Sequence, residues 1–143
     1  MSKGTVLIID DMSTHLLLLQ TILDEEGYHT ITYSDPIAAI KELYKGHIDI
    51  MLLDIMMPGM DGYALLKWIR NNKELEGIPV VFLTARADHN MKIEGLELGA
   101  IDYVTKPFSS DELLMRIRNQ VEFKKLRDFA LRNYNISLIK LNQ

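Results

Sequence analysis

The amino-acid sequence predicts an α/β fold in which helices cover both faces of a parallel β-sheet. Short apolar or β-branched runs, typical of buried strands, alternate with stretches whose apolar residues recur at helical spacing. Five such strand–helix pairs follow one another, an order that favours parallel pairing because each helix crosses over the sheet. The 143 residues, 48% hydrophobic and 25% charged, suffice for one soluble domain with a core.

The individual elements follow from local patterns in the sequence. Ser13 and Asp61 stand where helix N-caps belong, and glycines that act as stop signals follow four helices at Gly27, Gly46, Gly77 and Gly99. The predicted strands are residues 5–9, 29–33, 50–53, 80–83 and 102–104. The predicted helices are about residues 13–25, 36–44, 61–71, 89–98 and the chain from about 110 onward.

Polar residues follow four of the predicted strands. Asp10 and Asp11 come after the first strand, Asp54 after the third, Thr84 after the fourth and Lys106 after the fifth. In parallel α/β sheets, functional groups gather just beyond the carboxyl ends of the strands. Three carboxylates, a hydroxyl and an ammonium group are therefore expected to converge at one edge of the sheet.

These residue types together favour phosphoryl chemistry. Clustered carboxylates cannot all stay ionised unless a cation joins them, and a hard divalent ion with oxygen ligands, typically Mg²⁺, suits them. A lysine and a threonine hydroxyl would then hold the remaining oxygens of a phosphoryl group. An aspartate in this setting is a plausible nucleophile that would form an acyl phosphate.

Four motifs carry a family resemblance. The segments "LIIDD", "LLDIMMPGMDG", "LTA" and "GAIDYVTKPF", in this order, resemble the receiver domain of two-component response regulators. The resemblance covers about residues 3–123 and implies a flavodoxin-like (βα)5 doubly wound sheet with strand order 2-1-3-4-5. We expect a receiver domain at residues 1–123 and a helical extension or linker at 124–143.

The resemblance also implies the roles of individual residues. Asp54 would be the phosphoacceptor and also a Mg²⁺ ligand. Asp11 would bind Mg²⁺ directly and Asp10 through water, with the backbone carbonyl of Met56 completing the ligands. Lys106 would pair with the phosphoryl oxygens.

Further residues match positions that shape the receiver site. Thr84 would be the switch hydroxyl, and the ring of Tyr103 would move inward when Thr84 moves. Pro107 would follow a cis peptide bond that holds the loop in shape. Ala85 is small, as family members need beside the phosphoacceptor. We also expect Met56 and Arg86 to flank the mouth of the site and to slow hydrolysis of the acyl phosphate.

The function implied by the resemblance is a phosphorylation-dependent signalling switch. A histidine kinase or phosphotransfer protein would donate the phosphoryl group, as in a phosphorelay, and this would shift the population toward an active form. The surface of the fourth helix, fifth strand and fifth helix would then control an output partner or domain. The phosphoprotein would catalyse only its own phosphorylation and autodephosphorylation, and would not be an enzyme on an external substrate.

Charged residues near the end of the predicted domain suggest a dimer. Lys92, Asp102, Glu112 and Arg116 match charged positions that pair across a two-fold homodimer in one subfamily of DNA-binding regulators. The alternative is that these are solvated surface charges. Ile101 departs from the acid common in that subfamily.

Composition argues against several other classes of protein. The net charge of −4 does not favour direct nucleic-acid binding, and the absence of cysteine excludes disulfides and thiol chemistry. No run approaches about 18 apolar residues, and acids follow the first apolar run, so we expect a cytoplasmic protein without a membrane segment. The histidines lack zinc-ligand spacing. They are His15, His29, His47 and His89.

Three alternatives share parts of the pattern. A phosphatase of the haloacid dehalogenase type needs a second acid two residues after the nucleophile, where this sequence has Met56. In a flavodoxin-like cofactor binder, the acids of "DDMST" would repel the FMN phosphate. A phosphorylation-independent pseudo-receiver would not need the complete set of acids, threonine and lysine. The output remains open, because residues 124–143 fit either a stand-alone regulator or the linker to a DNA-binding, nucleotide-cyclase or kinase module.

Overall fold

The computed structural model describes residues 2–57, 60–84 and 89–141, and it confirms the predicted sheet. The five strands of this sheet are parallel, and we number them along the chain. They are β1 Thr5–Ile9, β2 His29–Tyr33, β3 Ile50–Asp54, β4 Val80–Thr84 and β5 Asp102–Thr105. Their spatial order is β2-β1-β3-β4-β5, the doubly wound order that the resemblance implied.

In the described part of the chain, five helices connect and follow the strands, with bounds within one residue of the predicted limits. They are α1 Ser13–Glu26, α2 Pro36–Leu43, α3 Gly62–Asn71, α4 His89–Glu97 and α5 Ser110–Leu141. A short antiparallel hairpin between β3 and α3 was not predicted. It pairs Met56–Met57 with Met60–Asp61.

Alternating strand residues build a core on each face of the sheet. Leu7 and Ile9 of β1 belong to the cluster that includes buried residues of α2 and α3. Val6 and Ile8 of the same strand belong to the other cluster, which includes buried residues of α1 and α5. Because both faces of β3 are covered, all five of its residues are buried, including its terminal Asp54.

The start of α1 differs from the prediction that Ser13 caps it. Ser13 is the first helical residue, and the cap position belongs to Met12, whose side chain makes no capping hydrogen bond. The Met12 amide instead donates to Asp10 Oδ1 at 3.0 Å. The strand-end carboxylate thus satisfies a backbone donor of the turn into α1. Gly27 ends α1 as predicted, with a left-handed φ of 104°.

Gly62 allows the start of α3 to approach the end of β3 closely. A Cβ atom at Gly62 would lie 2.6 Å from Ile55 Cα and 3.0 Å from the carbonyl oxygen of Asp54. No side chain fits at that distance. Gly62, the last residue of the "LLDIMMPGMDG" motif, therefore determines how closely α3 packs behind Asp54.

Helix α5 runs without a break for 32 residues and passes Phe123, the predicted end of the first domain. Val121 is its last buried residue among those whose side chains are described, and Arg127 Nη2 still donates to the carbonyl oxygen of Gly77 at 2.6 Å. Several large apolar side chains beyond Val121 are exposed, namely Phe123, Leu126, Phe129, Leu131 and Tyr134. In the described ranges, α5 and the other helices all lack an apolar stretch that could cross a membrane.

Candidate functional site

The predicted acids come together at the carboxyl ends of the central strands. Strands β1 and β3 are neighbours with Ile9 opposite Leu53, so Asp10 and Asp54 follow at the same level. Carboxylate oxygens of Asp10, Asp11 and Asp54 lie within 4.8 Å of one another. Asp10 and Asp54 are buried, with 0% and 2% exposure, whereas Asp11 is exposed. The cluster thus has two acids in its floor and one at its rim.

Lys106 places its ammonium group against both buried acids. Its Nζ lies 3.0 Å from Asp54 Oδ2 and 3.2 Å from Asp10 Oδ2. The Lys106 amide donates to the carbonyl oxygen of Thr84 at 2.7 Å, which ties the residue to the end of β4. The next peptide bond, between Lys106 and Pro107, is cis. One cation therefore joins the ends of β1, β3 and β5.

The pKa of Asp10 is raised mainly because its carboxyl group is buried, and neighbouring charges modify that shift. Burial raises the pKa of Asp10 above its ordinary value, the Met12 amide lowers it, and the charge of Asp54 raises it again. Lys106 also lowers the pKa of Asp10, but the net shift is upward. At Asp10, Lys106 therefore offsets only part of the combined effect of burial and the Asp54 charge.

The donor set of the cluster fits Mg²⁺. Three carboxylates offer oxygen ligands, which Mg²⁺ prefers. A divalent cation would also offset the negative charge of Asp54, which contributes to the raised pKa of Asp10. Mg²⁺ holds its ligands at about 2.0–2.1 Å and usually keeps several waters. Carboxylate oxygens up to 4.8 Å apart suit such an ion if one acid binds through water. The residues that could hold the metal are therefore Asp10, Asp11 and Asp54.

Thr84 ends β4 at the same edge of the sheet. Its side chain is 1% exposed, and the register places Leu83 opposite Asp54, so Thr84 lies one residue beyond the acid. The following Ala85 and Arg86 lie outside the described residues. The backbone of Met56 belongs to the short hairpin after β3, and its side chain is not described. The roles predicted for these residues remain predictions.

Tyr103 lies on β5 between a buried ring and a cation. Its ring centroid is 5.8 Å from that of Phe82, and the Arg116 guanidinium carbon is 5.3 Å from the Tyr103 centroid. Arg116 also donates to Asp102 Oδ1 at 2.6 Å and to Glu112 Oε1 at 3.1 Å. Three of the four predicted dimer charges are thus bonded within this chain, while the side chain of Lys92 is not described.

His15 belongs to the site, although sequence analysis gave it no role. Its Nδ1 lies 3.1 Å from Asp10 Oδ2 and 3.1 Å from Lys106 Nζ. The ring of Phe108 meets the imidazole edge-on, with centroids 5.9 Å apart and an interplanar angle of 81°. A signal was present in the sequence, since His15 lies in the first turn of the helix that follows the paired acids.

Fold and site together define a doubly wound α/β domain with a candidate cation site at the carboxyl ends of its central strands. Residues 6–118 match the family model described as the response regulator receiver domain. The chain therefore belongs to the receiver domain family of response regulators, a family of two-component signalling. Receiver domains bind Mg²⁺ at an acidic pocket, and the cluster of Asp10, Asp11 and Asp54 corresponds in character to such a pocket.

Relatives with curated descriptions agree with this family. The chain is 40% identical over 149 aligned residues to "Probable transcriptional regulator ycf27" of Guillardia theta, covering 99% of this chain and 58% of that protein. It is 42% identical over 117 residues to the "Uncharacterized transcriptional regulatory protein YbdJ" of Bacillus subtilis, covering 82% and 50%. It is 37% identical over 126 residues to "Response regulator PleD" of Caulobacter vibrioides, covering 88% and 28%. The chain thus spans about half of two relatives and less of the third.

Solved structures of receiver domains share the fold. The Francisella response regulator 1452 receiver domain has a TM-score of 0.77 and 35% identity, covering 84% of this chain and 98% of that one. The signal receiver domain of a signal transduction histidine kinase from Syntrophus aciditrophicus has a TM-score of 0.75 and 34% identity, covering 83% and 90%. The similarity therefore extends over nearly the whole of each compared structure.

Proposed function

We propose that this chain is a phosphorylation-dependent switch that accepts a phosphoryl group on Asp54. The observation that carries the proposal is the setting of Asp54, a buried carboxylate that shares the Lys106 ammonium with Asp10 at the edge of the central strands. The donor would be a histidine kinase or a phosphotransfer protein, in keeping with the two-component family. The chain itself would catalyse the transfer and a later hydrolysis, and would not act on an external substrate.

The proposed transfer forms one bond and breaks one. A carboxylate oxygen of Asp54 attacks the phosphorus, forming an acyl phosphate, while the bond from phosphorus to the donor histidine nitrogen breaks and that nitrogen keeps the electron pair. Asp10, Asp11, Asp54 and the carbonyl of Met56 would hold Mg²⁺, which supplies positive charge against the phosphoryl oxygens. The buried position of Asp54 fixes the attacking oxygen, and attack in line with the leaving nitrogen depends on that positioning.

Lys106 and Thr84 would bind the transferred group. The ammonium group of Lys106 already lies 3.0 Å from Asp54 Oδ2, so a phosphoryl group on Asp54 would place its oxygens within reach. The buried Thr84 hydroxyl lies one register position beyond Asp54 on the neighbouring strand. A hydrogen bond from Thr84 to the phosphoryl group would pull the end of β4, which is the proposed switch movement.

The movement would spread from Thr84 to the surface formed by α4, β5 and α5. Tyr103 packs against Phe82 two residues before Thr84, and the Arg116 guanidinium carbon lies 5.3 Å from the centroid of the Tyr103 ring. An inward movement of Tyr103 would separate it from Arg116 and change the charges exposed along α5. Moving the equilibrium between the inactive and active forms from 1:99 to 99:1 needs about 5.5 kcal/mol of difference in interaction free energy. Charge-assisted bonds to Lys106 and Thr84, together with the metal, could supply it.

A homodimer through this surface is a further part of the proposal. It would use Asp102, Glu112, Arg116 and Lys92. Because Arg116 already bonds Asp102 and Glu112 within the chain, a dimer would exchange these bonds for equivalent ones across the interface. Such an exchange gains little by itself. Phosphorylation would therefore have to supply the preference for the dimer.

The place of this domain in a larger system is proposed on the same basis. Residues 1–123 would form the receiver domain and 124–143 a helical extension or linker. Two compared relatives are named as transcriptional regulators, so control of transcription is one proposed output, exerted through a separate partner or domain. We propose a cytoplasmic location without membrane or direct nucleic-acid binding by this domain, consistent with its net charge of −4.

The proposal is tested by the intact mass of the protein after incubation with acetyl phosphate and Mg²⁺. We expect a gain of one labile phosphoryl group with Mg²⁺ and no gain when EDTA replaces Mg²⁺. We also expect no gain in Asp54→Asn, which keeps the shape of the side chain without its charge. Asp49→Asn is the matched control and should gain the group normally. Size-exclusion chromatography of the same samples reports whether phosphorylation shifts the protein to a dimer. Absence of the gain with acetyl phosphate and with a panel of histidine kinases would contradict the proposed function.

A further inference from the structure

We propose that His15 is a positioning residue for the phosphoacceptor site: its Nδ1 accepts a hydrogen bond from the Lys106 ammonium and holds that group in place. The inference rests on the proposed function, which it deepens by adding a residue for which sequence analysis found no role. Its basis is the distance of 3.1 Å between His15 Nδ1 and Lys106 Nζ.

The surroundings of Lys106 match its donors one for one. A lysine ammonium group carries three hydrogens and no acceptor. Among the described residues, three atoms that can accept lie within 3.2 Å of Nζ: Asp54 Oδ2 at 3.0 Å, His15 Nδ1 at 3.1 Å if it is unprotonated, and Asp10 Oδ2 at 3.2 Å. Since the Lys106 side chain is only 14% exposed, these protein groups replace most of the water it would otherwise bind.

The same contacts indicate the tautomer of His15. Its Nδ1 also lies 3.1 Å from Asp10 Oδ2, toward which it could only donate. A proton on Nδ1 would face the Lys106 donor at 3.1 Å and leave one ammonium hydrogen without an acceptor. A proton on Nε2 instead leaves Nδ1 free to accept from Lys106, while Asp10 Oδ2 accepts from the same ammonium group. In this arrangement the ammonium group donates to both Nδ1 and Asp10 Oδ2, which offsets the two facing lone pairs, and His15 is the Nε2–H tautomer.

The imidazole ring is held in this orientation from two sides. Its backbone lies in the first turn of α1, whose entry is fixed by the bond from the Met12 amide to Asp10. Phe108, two residues after Lys106, packs edge-on against the ring. Phe108 and Lys106 belong to the same loop, so the loop that carries the ammonium group also contacts the imidazole ring.

A fixed acceptor matters because the other two acceptors change partners during the reaction. Asp10 is a proposed Mg²⁺ ligand, and Asp54 receives the phosphoryl group. His15 has neither task, so its Nδ1 can keep the same bond to Lys106 throughout. Lysine has a flexible four-carbon stem, and this bond would keep its ammonium group where the phosphoryl oxygens must meet it.

A pair of substitutions at His15 tests this role. His15→Leu removes the acceptor, and we expect the rate of phosphorylation by acetyl phosphate to fall about ten- to a hundredfold, the size of one lost charge-assisted hydrogen bond. His15→Asn can place an oxygen near the position of Nδ1 and should restore most of the rate. His29→Leu, at the exposed start of β2 and thus at the opposite end of the sheet, is the matched control.

A second measurement needs neither phosphorylation nor Mg²⁺. Long-range ¹H–¹⁵N correlation spectra of the imidazole groups should give the Nε2–H tautomer for His15, and Lys106→Met should shift its Nδ1 resonance while leaving that of His29 in place. This spectrum remains informative if His15→Leu does not fold.

The outcomes separate the two proposals. A His15 Nδ1 that carries the proton, or a folded His15→Leu protein with the wild-type rate, would overturn the inference while leaving the function of Asp54 intact. If the wild-type protein accepts no phosphoryl group, the proposed function fails, and the spectra alone then decide whether His15 and Lys106 are bonded.

Discussion

At the residue scale, the site holds buried carboxylates whose negative charge Lys106 compensates only in part. Asp10 and Asp54 are buried at the ends of the central strands and share the one ammonium group of Lys106. Burial and the charge of Asp54 raise the pKa of Asp10, which means that the fold binds a proton there more tightly than the unfolded chain does. The folded protein is therefore less stable when Asp10 is ionised, and a bound divalent cation would reverse this.

This imbalance predicts a pH-dependent effect of Mg²⁺ on stability. The contribution of Asp10 is fully present below its ordinary pKa of 3.8 and is lost as the pH rises through its raised folded pKa. Near pH 7.5, Mg²⁺ at 100 times its dissociation constant should raise the free energy of unfolding by about 2.7 kcal/mol. The gain should be small at pH 4, where proton and metal compete for Asp10. Urea unfolding with Mg²⁺ and with EDTA measures it.

The variant Asp10→Asn provides the comparison for this prediction. It removes one ligand charge and the proton competition together, so both the effect of Mg²⁺ and its dependence on pH should shrink. An equal gain from Mg²⁺ at both pH values, or in the variant and the wild type, would mean that the ion does not bind at this cluster.

The acids and Lys106 were predictable from sequence, whereas His15 was not. Asp10 and Asp54 stand at the ends of apolar strands and Lys106 directly follows β5, and parallel strands bring their carboxyl ends to one edge whatever the details of packing. The position of His15 depends on how α1 rotates about its axis as it leaves β1. That rotation is set by the turn at Met12, where the predicted cap at Ser13 was wrong by one residue.

At the scale of elements, α4 owes its position to a glycine that contacts the sheet. A Cβ atom at Gly95 would lie 2.5 Å from Phe82 Cε1, and Phe82 is a fully buried residue of β4. The Phe82 ring in turn packs against Tyr103. Gly95 thus allows α4 to approach the same ring that contacts the proposed switch residue.

Substituting Gly95 should therefore destabilise the protein although alanine favours helices. Gly95→Ala would gain up to about 1 kcal/mol in helix propensity, but overpacking against Phe82 costs about 1–3 kcal/mol. We expect a net loss of about 1 kcal/mol in the free energy of unfolding, measured by urea unfolding. Gly77→Ala is the control, because its Cβ would meet only the Arg127 side chain, at 3.7 Å.

A double substitution separates packing from other causes. If the Cβ–ring clash is responsible, Phe82→Leu should make room, and the effect of Gly95→Ala should be smaller in that background than in the wild type. Additive effects of the two substitutions would contradict the packing explanation.

Strands and helices were predictable to within about a residue, while the hairpin after β3 was not. Apolar runs and stop signals fix the regular elements locally, and the helix after β2 ended at Leu43 where residue 44 was expected. The pairing of Met56–Met57 with Met60–Asp61 involves two-residue strands, too short to give a periodic pattern.

At the scale of the whole molecule, the proposed boundary at residue 123 can be tested by truncation. A chain ending after Asp128 should match the full chain in stability and phosphorylation, because residues 129–135 are exposed. A chain ending after Phe123 loses the bond from Arg127 to Gly77 and should lose about 1 kcal/mol of unfolding free energy while staying folded. The fluorescence of Trp68, the only tryptophan, reports unfolding.

The variant Arg127→Ala in the full chain is the matched control for the shorter truncation. It should reproduce most of the loss in stability. If the chain ending after Phe123 does not fold, the extension is part of the domain and the proposed division at this residue is wrong.

The unbroken length of α5 would also enlarge any movement that begins near its first turns. Its first turns carry Arg116, which contacts Tyr103, and its last described buried residue is Val121, so the pivot lies close to the proposed switch. From Val121 to Leu141 the helix extends about 30 Å at 1.5 Å per residue, so a tilt of about 10° at the pivot would displace its far end by about 5 Å. A rearrangement of a few atoms around Tyr103 would thus become a displacement of several ångströms at the far end of the helix.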